Sequence, residues 1–131
     1  MIPVPLERED QLEEEAEARR RLAGRPQPER LAPTRETVGA IVVTFNDAGH
    51  IAPTIRTLLR HTAEVVVVDL ASKDRTPETV AALSPAVEIM GLPLEAGFGA
   101  AVNEGVRRLG QPLLLLLHGD ARLRPGALEQ L

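Results

Sequence analysis

Four short apolar runs punctuate the chain from residue 38 onward: VGAIVVTF (38–45), EVVVVDL (64–70), VEIMG (87–91) and PLLLLL (112–117). Each is bounded by polar residues, Gly or Pro, which is the pattern of buried strands. Between them the apolar positions change to a helical period. Ile51, Ile55, Leu58 and Leu59 fall on one face, and Ala101, Val102, Gly105 and Leu109 mark another helix. Thr76-Pro77 reads as an N-cap followed by proline in the first turn. A further helix is expected to begin at Pro125. The predicted order is βαβαβαβ. Runs that are apolar on both faces, such as VVVV and LLLLL, belong in a parallel sheet covered on each side. The expected fold class is therefore α/β: a Rossmann-like three-layer α/β/α arrangement with a mostly parallel sheet of about four strands and the leucine run as a central buried strand.

Residues 1–37 follow a different pattern. The segment LEREDQLEEEAEARRRLAG places acids before arginines, with Glu15/Arg19 and Glu17/Arg21 four apart. Both side-chain pairing and the macrodipole then favour a helix, closed by Gly24. Its apolar stripe is thin, consisting of Leu12, Ala16 and Leu22, so it reads as a solvated charged extension, or else as a docking arm for a partner chain. RPQPERLAPTRET carries three spaced prolines, as suits an extended linker. The expected organisation is a charged helical extension with a Pro-rich linker over 1–37 and one α/β domain over 38–131.

Charge and composition narrow the chemistry. Fifteen basic residues against nineteen acidic ones give a net charge of -4, which argues against a nucleic-acid backbone as partner. The absence of cysteine excludes a disulfide framework and any Cys-based nucleophile or metal site. The acidic start MIPVPLEREDQLEEE lacks the order of a signal peptide, and the longest apolar run, Leu113 to Leu117, is far too short to span a bilayer. A cytoplasmic location is expected, with peripheral attachment at the inner face of the membrane as a variant.

In open parallel sheets ligands bind beyond the carboxyl ends of the strands, and those positions are polar or unusual in every case here. Thr44-Phe45-Asn46-Asp47 follows the first run, Asp69-Leu70-Ala71-Ser72-Lys73-Asp74 the second, Glu95-Ala96-Gly97-Phe98-Gly99 the third and Asp120 the fourth. The chain has two Phe and no Trp or Tyr, and both Phe lie in these loops. An aromatic ring at a strand end can stack on a flat base or serve as ordinary packing. Asp69 suits either a ligand hydrogen bond or a local turn bond. A carboxylate such as Asp120, with few other ligands nearby, suits a hard divalent cation held mainly by a substrate's phosphates and by water. His118 is a second candidate ligand or a loop hydrogen-bonder.

Taken in order, VGAIVVTFN, VVVVDLASKDRT, LPLEAGFGAAVNEG and LLLLLHGDARLRPGALEQL resemble the nucleotide-binding half of family 2 glycosyltransferases with the GT-A fold, in particular the branch with rhamnosyl and related transferases of bacterial polysaccharide synthesis. The resemblance covers residues 38–131. It implies that Thr44, Phe45 and Asn46 lie against the nucleotide base and that Asp69 hydrogen-bonds it. Ser72 and Asp74 shape the base-binding loop, while Gly97, Phe98 and Asn103 with Gly105 lie beside the nucleotide. Asp120 holds Mg2+ or Mn2+ on the diphosphate of a nucleotide sugar. The family's usual Asn-Gly-Ser after Asp69 reads Leu70-Ala71-Ser72 here, Glu95 and Ala101 stand where Asn and Gly are usual, and the residues before Asp120 are His118 and Gly119.

The acceptor-binding half, with its general-base carboxylate, is expected beyond residue 131, in the same polypeptide or a partner chain. The expected function is thus donor binding for sugar transfer to a hydroxyl, with the isolated chain inactive. Two alternatives remain open from sequence. One is a non-catalytic partner-binding protein with a degenerate nucleotide-binding fold. The other is an NAD-binding Rossmann domain argued from Gly97-Phe98-Gly99, where Val102 replaces the third glycine.

Overall fold

The computed structural model describes residues 6–24 and 31–131. They form two units, a lone helix and an α/β unit from Leu31 to Leu131. Helix α1 runs Leu6–Ala23. The predicted pairing forms between Glu17 and Arg21 at 2.7 Å, on the solvent-exposed surface of the helix, where such a pair contributes about 0.3–0.5 kcal/mol. Gly24 closes the helix by donating its amide to the Arg20 carbonyl. Leu12 and Ala16 of the thin stripe are exposed; the side chain of Leu22 and the linker residues 25–30 lie outside the described residues.

In the α/β unit the chain runs β1 (Val38–Thr44), α2 (Ile51–His61), β2 (Glu64–Leu70), α3 (Thr76–Leu83), β3 (Glu88–Leu92), α4 (Gly97–Arg108) and β4 (Leu113–His118). The four strands are all parallel in the order β3-β2-β1-β4. Strand β1 is buried along its whole length, which explains why its residues are apolar at odd and even positions alike. One face carries Ala40, Val42, Val65 and Val67, packed under Ile51, Ile55 and Leu58 of α2 and Val80 of α3. The other carries Ile41, Val43, Val66, Val68 and Leu70, packed under Ala101 of α4. Ile51, Ile55 and Leu58 recur at the i, i+4, i+7 spacing that holds one helix face to the sheet, and each such buried side chain contributes about 1.5–3 kcal/mol. Helices therefore cover both faces, as the α/β/α expectation required.

Three local expectations are corrected. The leucine run does not form a central strand: β4 is at the sheet edge, and on the α4 side Leu114 and Leu116 are 38% and 45% exposed. Leu115 and Leu117 pack on the α2 core, so the run is apolar on both faces but covered on one. Thr76 is not the N-cap of α3 but its first residue, after Arg75; the Asp74 carboxylate takes the capping role by accepting the Thr76 amide at 3.0 Å. The helix expected at Pro125 is a turn followed by one 3-10 turn, Leu128–Gln130.

Two small residues are under steric control. A Cβ at Gly105 would meet Ile41 Cγ2 at 2.6 Å and Cγ1 at 2.9 Å, so glycine sets how closely α4 approaches β1. Ala71, just after β2, has φ of 52°, a left-handed conformation that costs an L-residue about 1–2 kcal/mol. Gly105→Val is expected to lower stability by about 2 kcal/mol through overpacking, seen as a lower denaturation midpoint at unchanged slope. Ala71→Gly is expected to raise stability by about 1 kcal/mol, the relieved strain exceeding the added unfolded-state entropy. The same denaturation curves measure it.

Candidate functional site

The strand order reverses between β1 and β4, because β2 and β3 extend the sheet to one side of β1 and β4 lies on the other. Such a switch point leaves a crevice at the carboxyl ends of the two strands. The register keeps those ends level: Thr44 pairs with Asp69, and Val43 with His118. An open cleft of about 370 Å³ lies there, lined by Val43, Thr44, Phe45, Asp47, Leu70, Phe98, His118 and Asp120. Its size falls in the range of small-molecule sites.

Of the residues singled out from sequence, Thr44, Phe45, Phe98, His118 and Asp120 line this cleft directly. Phe45 and Phe98 are 39% and 42% exposed, against the tendency of scarce aromatics to be buried. The Phe98 ring also packs on His118, with centroids 4.8 Å apart. His118 thus has an aromatic neighbour in the cleft wall. Gly97 lies at the start of α4 with φ of 77°, where a short 3-10 turn, Leu94–Ala96, passes into the helix. That conformation favours glycine and sets where Phe98 begins its turn.

Asn46, Asp69, Ser72 and Asp74 form a bracing network in which one pattern occurs twice. The Asn46 amide donates to Ser72 Oγ at 2.9 Å, and Ser72 Oγ donates to Asp69 Oδ1 at 2.5 Å. The Asp47 amide donates to Thr76 Oγ1 at 2.9 Å, and Thr76 Oγ1 donates to Asp74 Oδ1 at 2.5 Å. In each a hydroxyl relays from a β1-loop amide to a β2-loop carboxylate. Asn46 strengthens the join through its own Oδ1, which accepts the Lys73 amide at 2.8 Å. Asp69 is buried, and both its oxygens accept from Ser72, from the amide at 2.9 Å and from the hydroxyl. It therefore performs the local turn work weighed for it from sequence, with lone pairs to spare.

Asn103 does not join the group. Because α4 already begins at Gly97, Asn103 comes five residues after Phe98, about 140° further round the helix, and it is exposed outside the cleft. The segment expected as a Gly-Phe loop is a helix start. This also removes the basis of the dinucleotide alternative: Gly97-Phe98-Gly99 follows the outermost strand β3, whereas that fingerprint belongs after the first strand of its unit.

Asp47, one of the strand-end residues, has a role that the sequence reading did not assign to it. Its Oδ2 accepts the Thr44 hydroxyl at 2.7 Å and the Phe45 amide at 3.2 Å, fixing the turn that presents Phe45. The signal was present in the Thr44/Asp47 spacing, which suits an Asx-type turn. Among the described residues no group of three or more His, Cys, Asp or Glu is placed to hold a metal ion. A lone carboxylate such as Asp120, open to the cleft, still matches the donor set of a hard cation that keeps waters and is bound chiefly by phosphates.

Asp74 has a carboxyl held below its ordinary value of 3.8, first by the Thr76 hydroxyl and then by the amides of Ala48 and Thr76, with burial opposing. A depressed folded-state value stabilises the native form above the unfolded value and is lost as pH falls through the folded one. The margin of the native chain over Asp74→Asn is therefore expected to be constant in melting temperature above about pH 5 and to shrink below about pH 4. Melting curves across that range measure it, and a margin independent of pH would contradict the assignment.

The comparisons with known proteins agree with this fold. The model of the family Glycosyl transferase family 2 matches residues 40–131. The succinoglycan biosynthesis protein ExoO of Rhizobium meliloti (strain 1021) is 35% identical over 95 residues, covering 70% of this chain and 27% of that protein. Among solved structures, the mannosyltransferase PcManGT of Pyrobaculum calidifontis, in complex with GDP-Man and Mn2+, is similar at 27% identity and a TM-score of 0.64, covering 84% of this chain and 36% of that one. Residues 1–349 of S. aureus TarS share the fold at 22% identity and a TM-score of 0.63, over 72% of this chain and 30% of that one; the same protein is also known in complex with UDP-GlcNAc. The chain thus spans between about a quarter and just over a third of the length of these proteins. With a parallel α/β sheet, a cleft at its switch point and a family match running from β1 to the last residue, the chain belongs to glycosyl transferase family 2.

Proposed function

We propose that residues 38–131 form the donor-binding part of a glycosyltransferase site. They take the nucleoside diphosphate of a sugar donor into the cleft at the ends of β1 and β4, and residues 1–37 precede them in the chain as an extension. The observation that carries this reading is the convergence of Phe45, Phe98 and Asp120, from three separate segments, on one cleft. An exposed ring suits the flat face of a base, and a carboxylate at the end of the neighbouring strand β4 suits the charged diphosphate through a cation. The chain's similarity to proteins known with UDP-GlcNAc and with GDP-Man supports the same ligand class.

In this reading Phe45 stacks on the base, and Thr44 and Asn46 hold the turn that carries it. Asp69 offers the base its remaining acceptor capacity, with Ser72 and Asp74 fixing the loop. Gly97 and Phe98 close the side of the cleft beside the nucleotide. Asp120, with His118 as a second candidate, would hold Mg2+ or Mn2+, which supplies charge neutralisation on the leaving diphosphate. Transfer to a hydroxyl also needs an acceptor site with a general base, which we assign to the remainder of a longer polypeptide or to a partner chain. A cytoplasmic setting, peripheral at the inner face of the membrane, goes with a nucleotide-sugar donor; no helix among the described residues is long and apolar enough to cross a membrane.

The test is calorimetric titration of the chain and of Asp120→Ala with UDP and GDP, each with and without Mn2+. Manganese is expected to tighten nucleotide binding to the native chain by about tenfold or more, about 1.4 kcal/mol per tenfold, and this gain is expected to vanish in Asp120→Ala with the melting temperature kept. An equal gain in both proteins would overturn the role of Asp120.

A further inference from the structure

Asp120 stands in a short turn at the end of an edge strand, and its usefulness toward a cation depends on where the backbone of Gly119 and Ala121 holds it. On one side the Gly119 amide donates to the Val43 carbonyl at 3.0 Å, extending the β1–β4 ladder by one residue. Gly119 is also pressed against β1's turn: a Cβ there would lie 2.5 Å from Asp47 Oδ2 and 2.6 Å from Thr44 Oγ1. On the other side, Thr54 Oγ1 of α2 reaches the Ala121 carbonyl at 2.5 Å and the Gly119 carbonyl at 3.3 Å.

That use of a helical threonine is unusual within this chain. Thr57 and Thr79 donate their hydroxyls to carbonyls four residues back in their own helices, Pro53 and Arg75, which is the ordinary habit of threonine in a helix. Thr54 is 1% exposed, sits in the apolar stripe between Ile51 and Ile55, and sends its hydroxyl 65 and 67 residues away. A buried hydroxyl needs a partner, and the partners here are the two carbonyls that flank Asp120.

We propose that Thr54 is a positioning residue for Asp120: by holding the carbonyls on both sides of it, Thr54 fixes the direction in which that carboxylate meets a divalent cation. The proposal rests on the donor-site reading above. Thr54 touches neither nucleotide nor metal. Its effect is confined to the metal-dependent part of binding, because the aromatic wall made by Phe45 and Phe98 does not involve the Thr54 hydroxyl.

The experiment compares the native chain with Thr54→Val, which keeps the shape and removes the hydroxyl, and Thr54→Ser, which keeps the hydroxyl. UDP and GDP affinity is measured by calorimetry with and without Mn2+, and Mn2+ alone is titrated by electron paramagnetic resonance, with melting temperature as the fold control. Thr54→Val is expected to lose most of the manganese gain, about tenfold, and to weaken Mn2+ binding by itself, while metal-free nucleotide affinity stays within about twofold. Thr54→Ser is expected to behave as the native chain. Retention of the full manganese gain in Thr54→Val overturns the proposal, as does an equal loss of metal-free and metal-dependent binding, which marks a merely structural role. If Thr54→Val fails to fold, Thr54→Ser decides: a lost manganese gain in that variant overturns the proposal, and a native gain supports it. Absence of any manganese gain in the native chain refutes the donor-site reading itself and the positioning role with it, whereas a gain in the native chain that Thr54→Val retains refutes the positioning role alone.

Discussion

The pairing of β1 on both its edges is the constraint on which the site depends. Val38–Thr44 is fully buried, bonded to β2 on one side and β4 on the other, so its position is fixed by two ladders and two helical layers together. Because all three strands are parallel, their carboxyl ends emerge at one edge. Because the order reverses at β1, its carboxyl end lies beside that of β4 at a switch point, the place where open parallel sheets leave a crevice. Neither feature depends on any cleft residue. The scaffold makes the crevice, and the residues after each strand give it chemistry.

The β1 loop is then locked to its neighbours by polar bonds in place of packing. Two hydroxyls, of Ser72 and Thr76, each accept an amide from the β1 loop and donate to a carboxylate of the β2 loop. A polar network of this kind is stable only when nearly every member is satisfied. Here Asn46, Asp69, Asp74 and Asp47 each have partners in it. The left-handed backbone at Asn46 and Ala71, with φ of 54° and 52°, is the cost of bringing the two loops close enough to bond. Asn tolerates that conformation; Ala71 stands where relatives of the resembled family usually carry glycine.

Much of this was legible in the amino-acid sequence, and the exceptions have physical reasons. EVVVVDL showed its strand because its middle, Val65 to Val68, is buried on both faces and so is apolar at odd and even positions alike. The leucine run followed the same logic and led to the wrong place in the sheet, since Leu114 and Leu116 are as apolar as core residues but are only partly covered at the sheet edge. Phe45 and Asp120 were singled out because strand ends in a parallel sheet are where ligands bind, and both line the cleft. Asn103 was carried over by motif, and only the early start of α4 shows how far round the helix it lies. Thr54 left no signal at all: a threonine in an apolar helical stripe reads as filler, and the carbonyls it holds are 65 and 67 residues away.

A nucleoside diphosphate bound at the carboxyl edge of the sheet, at the switch point between β1 and β4, would perturb the backbone amides of the strand-end segments. Backbone amide chemical-shift mapping of the full chain during titration with UDP or GDP in the presence of Mg2+ reads this out. Saturable shifts are expected, confined to those segments, chiefly Phe45 to Asp47, Leu70 to Ser72, Gly97 to Phe98 and Gly119 to Asp120. Shifts centred on α1 or on the opposite edge of the sheet around Gln111, or no shifts from a folded chain, would contradict binding there.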